Sequence, residues 1–254
     1  MEVRVLPGSQ NLVERIRTSV IIPAFNEGKR LPECVSALKA QTQPFDEIIV
    51  VDNNSRDETA EVARSLGCMV VWEGAQGLSK ARNAGAHASR GDIICFIDAD
   101  GQMCPNWLEE ALKSLKDPRI SAVSGLNIFQ HDNSFKEVWY NLYTLLAYSC
   151  VVLDDRIFSQ TFLVGNNLAI KKDVFLSLGG FEPVIGEDYW ISQKFWVRPE
   201  LKGVVNLKMI NQLSSRRFDE RGYTRTVLGW LIDTARKTPQ VKYAKLSSQG
   251  SQQA

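Results

Sequence analysis

The first half of the chain alternates strand and helix: a short apolar run, a turn, then a helical stretch. The runs are SVIIPAF (Ser19 to Phe25), DEIIVVD (Asp46 to Asp52), CMVVWE (Cys68 to Glu73) and DIICFID (Asp92 to Asp98). Helices are expected from about Lys29 to Ala40, across Asp57 to Ser65, and from about Ser79 to Ser89. β-Branched runs without inside–outside alternation fit strands buried on both faces, and intervening helices imply a parallel sheet. Such sheets bind ligands at the carboxyl ends of their strands. Pro23 to Glu27, Asp52 to Ser55, Gly74 to Gly77 and Asp98 to Gly101 all follow strands. The pattern therefore predicts one α/β domain with a polar, glycine-bearing cleft along one sheet edge.

The second half is less regular. AVSGLNIF (Ala122 to Phe129) and TFLVGNNLAI (Thr161 to Ile170) read as strands. KKDVFLSLGGF (Lys171 to Phe181) reads as a helix stopped by Gly179 and Gly180. Further helices are expected to begin near Glu187 and to run from about Tyr223 to Lys237. The most apolar segment, Val138 to Leu153, is too short to span a bilayer and is interrupted by Asn141, Thr144 and Ser149. Asn141, Thr144 and Tyr148 share one face at helical spacing. A buried helix with a polar stripe is the plainer reading; a helix facing a partner or a membrane surface is the sharper one. The organisation expected is an extension over 1–17, a single domain over 18–240 and a disordered tail over 241–254. Within the domain, 18–101 and 102–240 are expected to form two halves.

Composition narrows the function. The 254 residues carry a formal net charge of +1, so nothing suggests a nucleic-acid partner. The start, MEVRVLPGSQNLVERIR, has no continuous apolar core and does not read as a secretory signal. The five cysteines are odd in number and form no CxxC pair, which fits reduced thiols in a cytoplasmic protein. His87 and His131 each stand alone, which argues against a histidine metal site or a Ser-His-Asp triad. No G-x-x-x-x-G-K-[ST] occurs, and no G-x-G-x-x-G follows the first strand.

The chemistry sits at strand ends. CFIDADGQM (Cys95 to Met103) sets Asp98 and Asp100 at i and i+2, on one side of an extended chain. Such a hard oxygen site suits Mg2+ or Mn2+ shared with a diphosphate. The plainer reading is an Asp-rich turn capping the next helix. GLSKARNAG puts Lys80 and Arg82 near a helix start, which favours anions. Alternatively Arg82 pairs with a buried aspartate, Asp98 being a candidate, and Lys80 is solvated. GEDYW (Gly186 to Trp190) carries a second acid pair, Glu187 and Asp188, read either as a helix-start pair or as a base and its support. Tyr189 and Trp190 either stack on a bound ligand or pack in the core. In SSRRF, Arg216 and Arg217 belong to a solvated basic turn or to a mobile loop that folds over a phosphate group.

In order along the chain, PAFNE, VDNNS, GLSKARNAG, DAD, GNNLA, GGF and GEDYW resemble the family 2 glycosyltransferases, over roughly Ser19 to Phe195. The resemblance implies a GT-A-like, Rossmann-type, mostly parallel sheet flanked by helices, with 18–101 as a nucleotide-binding half and 102–240 as an acceptor-binding half. Within it Tyr189 and Trp190 would stack on an acceptor sugar, and Arg216 and Arg217 would fold over the departing diphosphate. It implies that Pro23, Ala24, Phe25 and Glu27 lie along the nucleoside, and that Asp52 hydrogen-bonds the base, usually uracil. Asp98 would lie near the ribose, Asp100 would bind the metal, and Asp188 would be the general base, with Glu187 supporting it or binding the acceptor. Read from the residues alone, Pro23 and Phe25 shape a turn and Asp52 caps one. The Q-x-x-R-W signature and membrane helices of the family's processive members are missing, which favours single-sugar transfer. The expected activity is metal-dependent, inverting transfer from a UDP-sugar to a hydroxyl of a glycan, lipid-linked or small-molecule acceptor. Peripheral contact with the inner face of the membrane is compatible with it. The alternatives are a non-catalytic nucleotide-sugar-binding or assembly subunit, and a nucleotidyltransferase. The latter needs a glycine-rich basic loop where this chain has PAFNEGKR.

Overall fold

All seven residues of β1 (Thr18–Ala24) and all five of β4 (Ile93–Ile97) are buried. Strands covered on both faces gain nothing from alternation, so their sequences run apolar throughout. A computed structural model of the protein describes residues 15–131, 133–142, 144–145, 149, 161–215, 222, 225, 228–229, 232–233 and 235–237. Arg216, Arg217, Tyr148, Cys150, the first 14 residues and the tail over 241–254 lie outside the described residues.

After β1 come α1 (Leu31–Lys39), β2 (Glu47–Asp52), α2 (Thr59–Ser65), β3 (Met69–Trp72), α3 (Leu78–Ala88) and then β4. The second half adds β5 (Gly101–Met103), α4 (Trp107–Leu115), β6 (Ile120–Gln130), β7 (Asn167–Lys171), α5 (Lys172–Ser177), α6 (Glu187–Trp196) and β8 (Lys202–Ser214). These strands form one sheet in the order β3-β2-β1-β4-β7-β6-β8-β5. The β3-β2-β1-β4 half is parallel; β7 runs antiparallel to both β4 and β6. Strand order reverses between β1 and β4, and a doubly wound sheet opens its binding crevice at such a point.

Helices cover both faces. Val20 and Ile22 pack with α1, α2 and α4 on one side. Ile21, Ile49 and Phe96 pack with α3, α5 and α6 on the other. α3 lies so close to the sheet that a Cβ at Gly85 would come within 2.4 Å of Ile21 Cγ2. Glycine is what lets that helix seat.

Three expectations change. The strand read over Thr161 to Ile170 begins only at Asn167. Upstream of a turn at Gly165, the backbone bonds to side chains instead of a ladder: Leu163 N donates to Ser192 Oγ (2.9 Å) and Val164 N to Ser124 Oγ (2.9 Å). α5 ends at Ser177, with Gly179 and Gly180 at φ +75° and +69°, so the helix is shorter than read but stopped by the expected glycines. The buried helix with a polar stripe is inverted. In the helical stretch over 134–142, Asn141 faces inward and brackets the Phe129 backbone, donating from Nδ2 to its O (2.9 Å) and accepting its N–H at Oδ1 (2.7 Å). The apolar side faces out, with Phe135 80% and Trp139 61% exposed. No helix among the described residues is long and apolar enough to cross a membrane. Of the helix expected over Tyr223 to Lys237, residues 225, 228–229, 232–233 and 235 are helical. The strands β5 and β8 and the helix α4 were not among the elements read from the sequence.

Candidate active site

The ends of the first three strands are level, with Ala24 paired to Asp52 and Asp52 to Trp72. Their loops are knitted by asparagines. Asn53 donates from Nδ2 to Glu73 O (2.9 Å) and Ala75 O (3.0 Å), and its Oδ1 accepts from Gly77 N (2.8 Å). Asn26, at φ 55°, accepts from Arg56 N at 2.8 Å. Asp52 is buried, and its Oδ1 accepts from Ser55 N at 3.0 Å, so the turn-capping reading holds for that oxygen. Pro23 and Ala24 are buried in β1, whereas Phe25 and Glu27 are half-buried just past it. Glu27 pairs with Arg30 at 2.8 Å. Lys80 lies half-buried in the first turn of α3.

Two residues further along α3, Arg82 is 1% exposed and gathers the acids of two motifs. Its Nη2 lies 2.9 Å from Asp98 Oδ1, and its Nη1 lies 2.8 Å from Glu187 Oε1 and 3.8 Å from Asp188 Oδ1. The guanidinium also sits 5.2 Å from the Phe181 ring centroid. Burial pulls the Arg82 pKa down, and Asp98, Glu187 and Asp188 together more than offset it, leaving it above its usual value. Of the two readings for Arg82, the pairing with Asp98 is the one observed. A buried cation with this many carboxylates holds the aspartate turn after β4 against the start of α6.

α6 begins after Gly186, whose φ of +75° turns the chain into the helix. Asn83 fixes the approach by bonding both N and O of Phe181 at 2.9 Å. Asp188 then meets the turn before β7: a Cβ on Gly165 would lie 2.3 Å from Asp188 Oδ1 and 2.7 Å from Arg82 Nη1. The Asp188 side chain is 27% exposed overall, but Oδ1 itself is buried and has no hydrogen-bond partner among the described residues. Burial, and next the charge of Glu187, push its pKa well above the usual carboxylate range, although Arg82 opposes them. A carboxylate tuned upward in this way suits proton abstraction near neutral pH.

Asp98 is clamped on both sides. While Oδ1 takes Arg82, Oδ2 accepts from Asn166 Nδ2 at 3.3 Å. Asp100 lines a cavity of about 520 Å³ together with Arg30, Glu33, Gln102, Gln130, His131 and Gln212. Asp188 is not part of that cavity's lining; it meets the aspartate turn from the α3 side. Among the described residues no group of three or more His, Cys, Asp or Glu side chains forms a ready metal cage. One carboxylate facing an open polar cavity fits a hard cation that takes its remaining ligands from substrate phosphates and water.

Tyr189 and Trp190 form an aromatic cluster with Trp196, edge to face at 5.5 and 5.7 Å from Tyr189. Tyr189 Oη accepts from Gln193 Nε2 at 2.8 Å, and Lys237 Nζ sits 4.4 Å from the Trp190 ring. Both side chains make these contacts while staying half-buried. Cys34, Cys68, Cys95 and Cys104 are free thiols. Asn53, Gly165 and Asn166 escaped the sequence reading; the signal was present in the strand-end repeats VDNNS and GNN.

Residues 19–176 match the family model described as Glycosyl transferase family 2. Glycosyltransferase AglE of Haloferax volcanii is 30% identical over 172 residues, which cover 64% of this chain and 55% of AglE. An uncharacterized glycosyltransferase of Haemophilus influenzae is 28% identical over 182 residues, covering 67% of this chain and 59% of that protein. The chain thus spans a little over half the length of these relatives. Among solved structures, the mannosyltransferase PcManGT from Pyrobaculum calidifontis, in complex with GDP-Man and Mn2+, superposes with a TM-score of 0.61 at 24% identity, over 79% of this chain and 57% of that one. Glucosyl-3-phosphoglycerate synthase from Mycobacterium tuberculosis, in complex with Mn2+, UDP and glucosyl-3-phosphoglycerate, superposes with a TM-score of 0.59 at 22% identity, over 86% and 79%. Both share the fold described above. With its strand-end motifs and the family match over most of its length, the chain belongs to glycosyl transferase family 2.

Proposed function

We propose that this chain is an inverting glycosyltransferase that moves one sugar from a UDP-sugar to an acceptor hydroxyl, with Asp188 as general base. The observation that carries the reading is the convergence on Arg82: the aspartate turn after β4 and the acid pair of α6 share one buried guanidinium. A donor-binding turn and a raised-pKa carboxylate are thereby held at a fixed separation, as an in-line displacement needs.

The nucleoside rests along Pro23, Ala24, Phe25 and Glu27, with the outer oxygen of Asp52 accepting from the uracil N–H and Asp98 beside the ribose. Asp100 would hold a Mg2+ or Mn2+ ion, which would neutralise the charge of the leaving diphosphate. Asp188 takes the proton of the acceptor hydroxyl as that oxygen attacks the anomeric carbon from the face opposite the diphosphate. An α-linked donor then yields a β-linked product. Glu187 keeps Arg82 engaged beside Asp188, and Lys80 faces the diphosphate from α3. Arg216 and Arg217, outside the described residues, remain candidate phosphate ligands by their chemistry alone.

The exposed apolar side of the stretch over 134–142 supports contact with a bilayer surface, and hence a lipid-linked glycan as acceptor. Its Phe and Trp side chains suit the interfacial zone.

A thermal-shift panel of UDP, GDP and CDP, each with Mn2+ and with EDTA, tests the donor half. The expected result is the largest shift for UDP, lost in EDTA. A larger shift for GDP or CDP overturns the uridine assignment, and equal shifts with and without metal overturn the metal site.

A further inference from the structure

Behind Asp98 runs a chain of amide side chains that crosses the sheet. Trp107 Nε1, on α4, donates to Asn167 Oδ1 at 2.7 Å. Asn167 Nδ2 donates to Asn127 Oδ1 at 3.0 Å, and Asn127 Nδ2 donates to Asn166 Oδ1 at 2.8 Å. Asn166 Nδ2 then donates to Asp98 Oδ2 at 3.3 Å. Asn211, fully buried on β8, steadies the relay by donating to Asn166 O at 3.0 Å. Every link has the same polarity, each amide donating forward and accepting from behind. The amide of Asn166 is therefore presented with its NH2 toward Asp98, because its oxygen is already taken by Asn127.

We propose that Asn166 is a positioning residue for donor binding: it holds Oδ2 of Asp98 so that the carboxylate stays in one plane between Asn166 and Arg82. A carboxylate gripped only at Oδ1 rotates about its last torsion, which is broad and roughly two-fold. Gripped at both oxygens, it offers its outward lone pairs in one direction. The relay anchors that grip in the Trp107 core on the far side of the sheet. This inference rests on the reading that Asp98 contacts the donor, and it adds the residue that aims the contact.

The test is a double-mutant cycle on UDP affinity in Mn2+, read by calorimetry with the full chain: wild type, Asn166→Ala, Asp98→Ala and both together. Coupled neighbours lose additivity by an amount the cycle isolates. Asn166→Ala is expected to weaken UDP roughly tenfold in the wild type and less than about twofold in the Asp98→Ala background. Asn166→Asp keeps the shape but sets a carboxylate against Asp98, and is expected to weaken UDP more than Asn166→Ala does. Asn166 is only half-buried, so Asn166→Ala is expected to keep its melting temperature near that of the wild type, which separates aiming from unfolding. If Asp98→Ala leaves UDP affinity unchanged, the donor reading of Asp98 fails and takes this inference with it. If Asp98→Ala weakens UDP but Asn166→Ala has no effect, or an equal effect in both backgrounds, the inference alone is overturned.

Discussion

Arg82 draws three carboxylates, on Asp98, Glu187 and Asp188, toward one guanidinium. Removing it leaves those acids together without their cation. Breaking a buried ion pair by taking away one partner costs about 3–5 kcal/mol. Arg82→Met is therefore expected to lower unfolding free energy by about that amount in a denaturant titration. A loss under about 1 kcal/mol would mean the cluster is solvated. Asp188 carries the opposite sign. Its folded-state pKa is raised, so the folded protein holds that proton more tightly than the unfolded chain does. Its ionisation thus costs stability, a penalty absent below the unfolded pKa that grows as pH rises toward the folded one. Asp188→Asn is expected to be at least as stable as the wild type at neutral pH. Because a base must be ionised, the rising limb of the kcat/KM profile is expected well above the ordinary carboxylate range near about 4. A limb at about 4 would place an unperturbed carboxylate in that role.

At the scale of elements, the turn at Gly165 and Asn166 joins the aspartate pair to α6. It hid in the sequence because TFLVGNNLAI reads as one apolar run, whereas the backbone upstream of the turn bonds to Ser124 and Ser192 side chains. Gly165→Ala would drive a methyl group into Asp188 and Arg82. Turnover is expected to fall on the order of 100-fold, with UDP affinity within a fewfold of wild type, because a displaced base costs the chemical step. Equal loss of both would mean that the turn shapes the donor site instead. The stretch over 134–142 shows why its face was misread. Helical spacing groups Asn141 and Thr144, but spacing alone does not say which side meets the protein. Asn141 turns inward because its amide brackets the N–H and C=O of Phe129 on β6. Trp139→Ser and Phe135→Ser are each expected to reduce co-sedimentation with vesicles of mixed neutral and anionic phospholipid. Unchanged sedimentation would remove the bilayer from the proposal.

At the scale of the molecule, the parallel half was legible because strands buried on both faces write continuous apolar runs. The other half was not. β5 is only three residues long, and β8 is half-exposed, with Asn and Lys interleaved among its apolar positions. The asparagine relay was invisible for a related reason: amides read as loop residues until tertiary packing shows them buried. The meeting of Asp98 with Glu187 and Asp188 at Arg82 was only partly legible: the sequence offered the Arg82–Asp98 pair, but not that the α6 acids share the same guanidinium. The central claim, that the α6 acid does chemistry while the strand-end acids hold the donor, is tested most directly by one comparison. Transfer by Asp188→Asn is measured beside its UDP titration in Mn2+. Asparagine keeps the shape and cannot take a proton, and general-base assistance is typically worth about 10²–10⁴-fold. The expected result is UDP affinity like that of wild type, with turnover down by about two orders of magnitude or more. Turnover within a fewfold of wild type would contradict the claim and return Asp188 to the role of a helix-start acid.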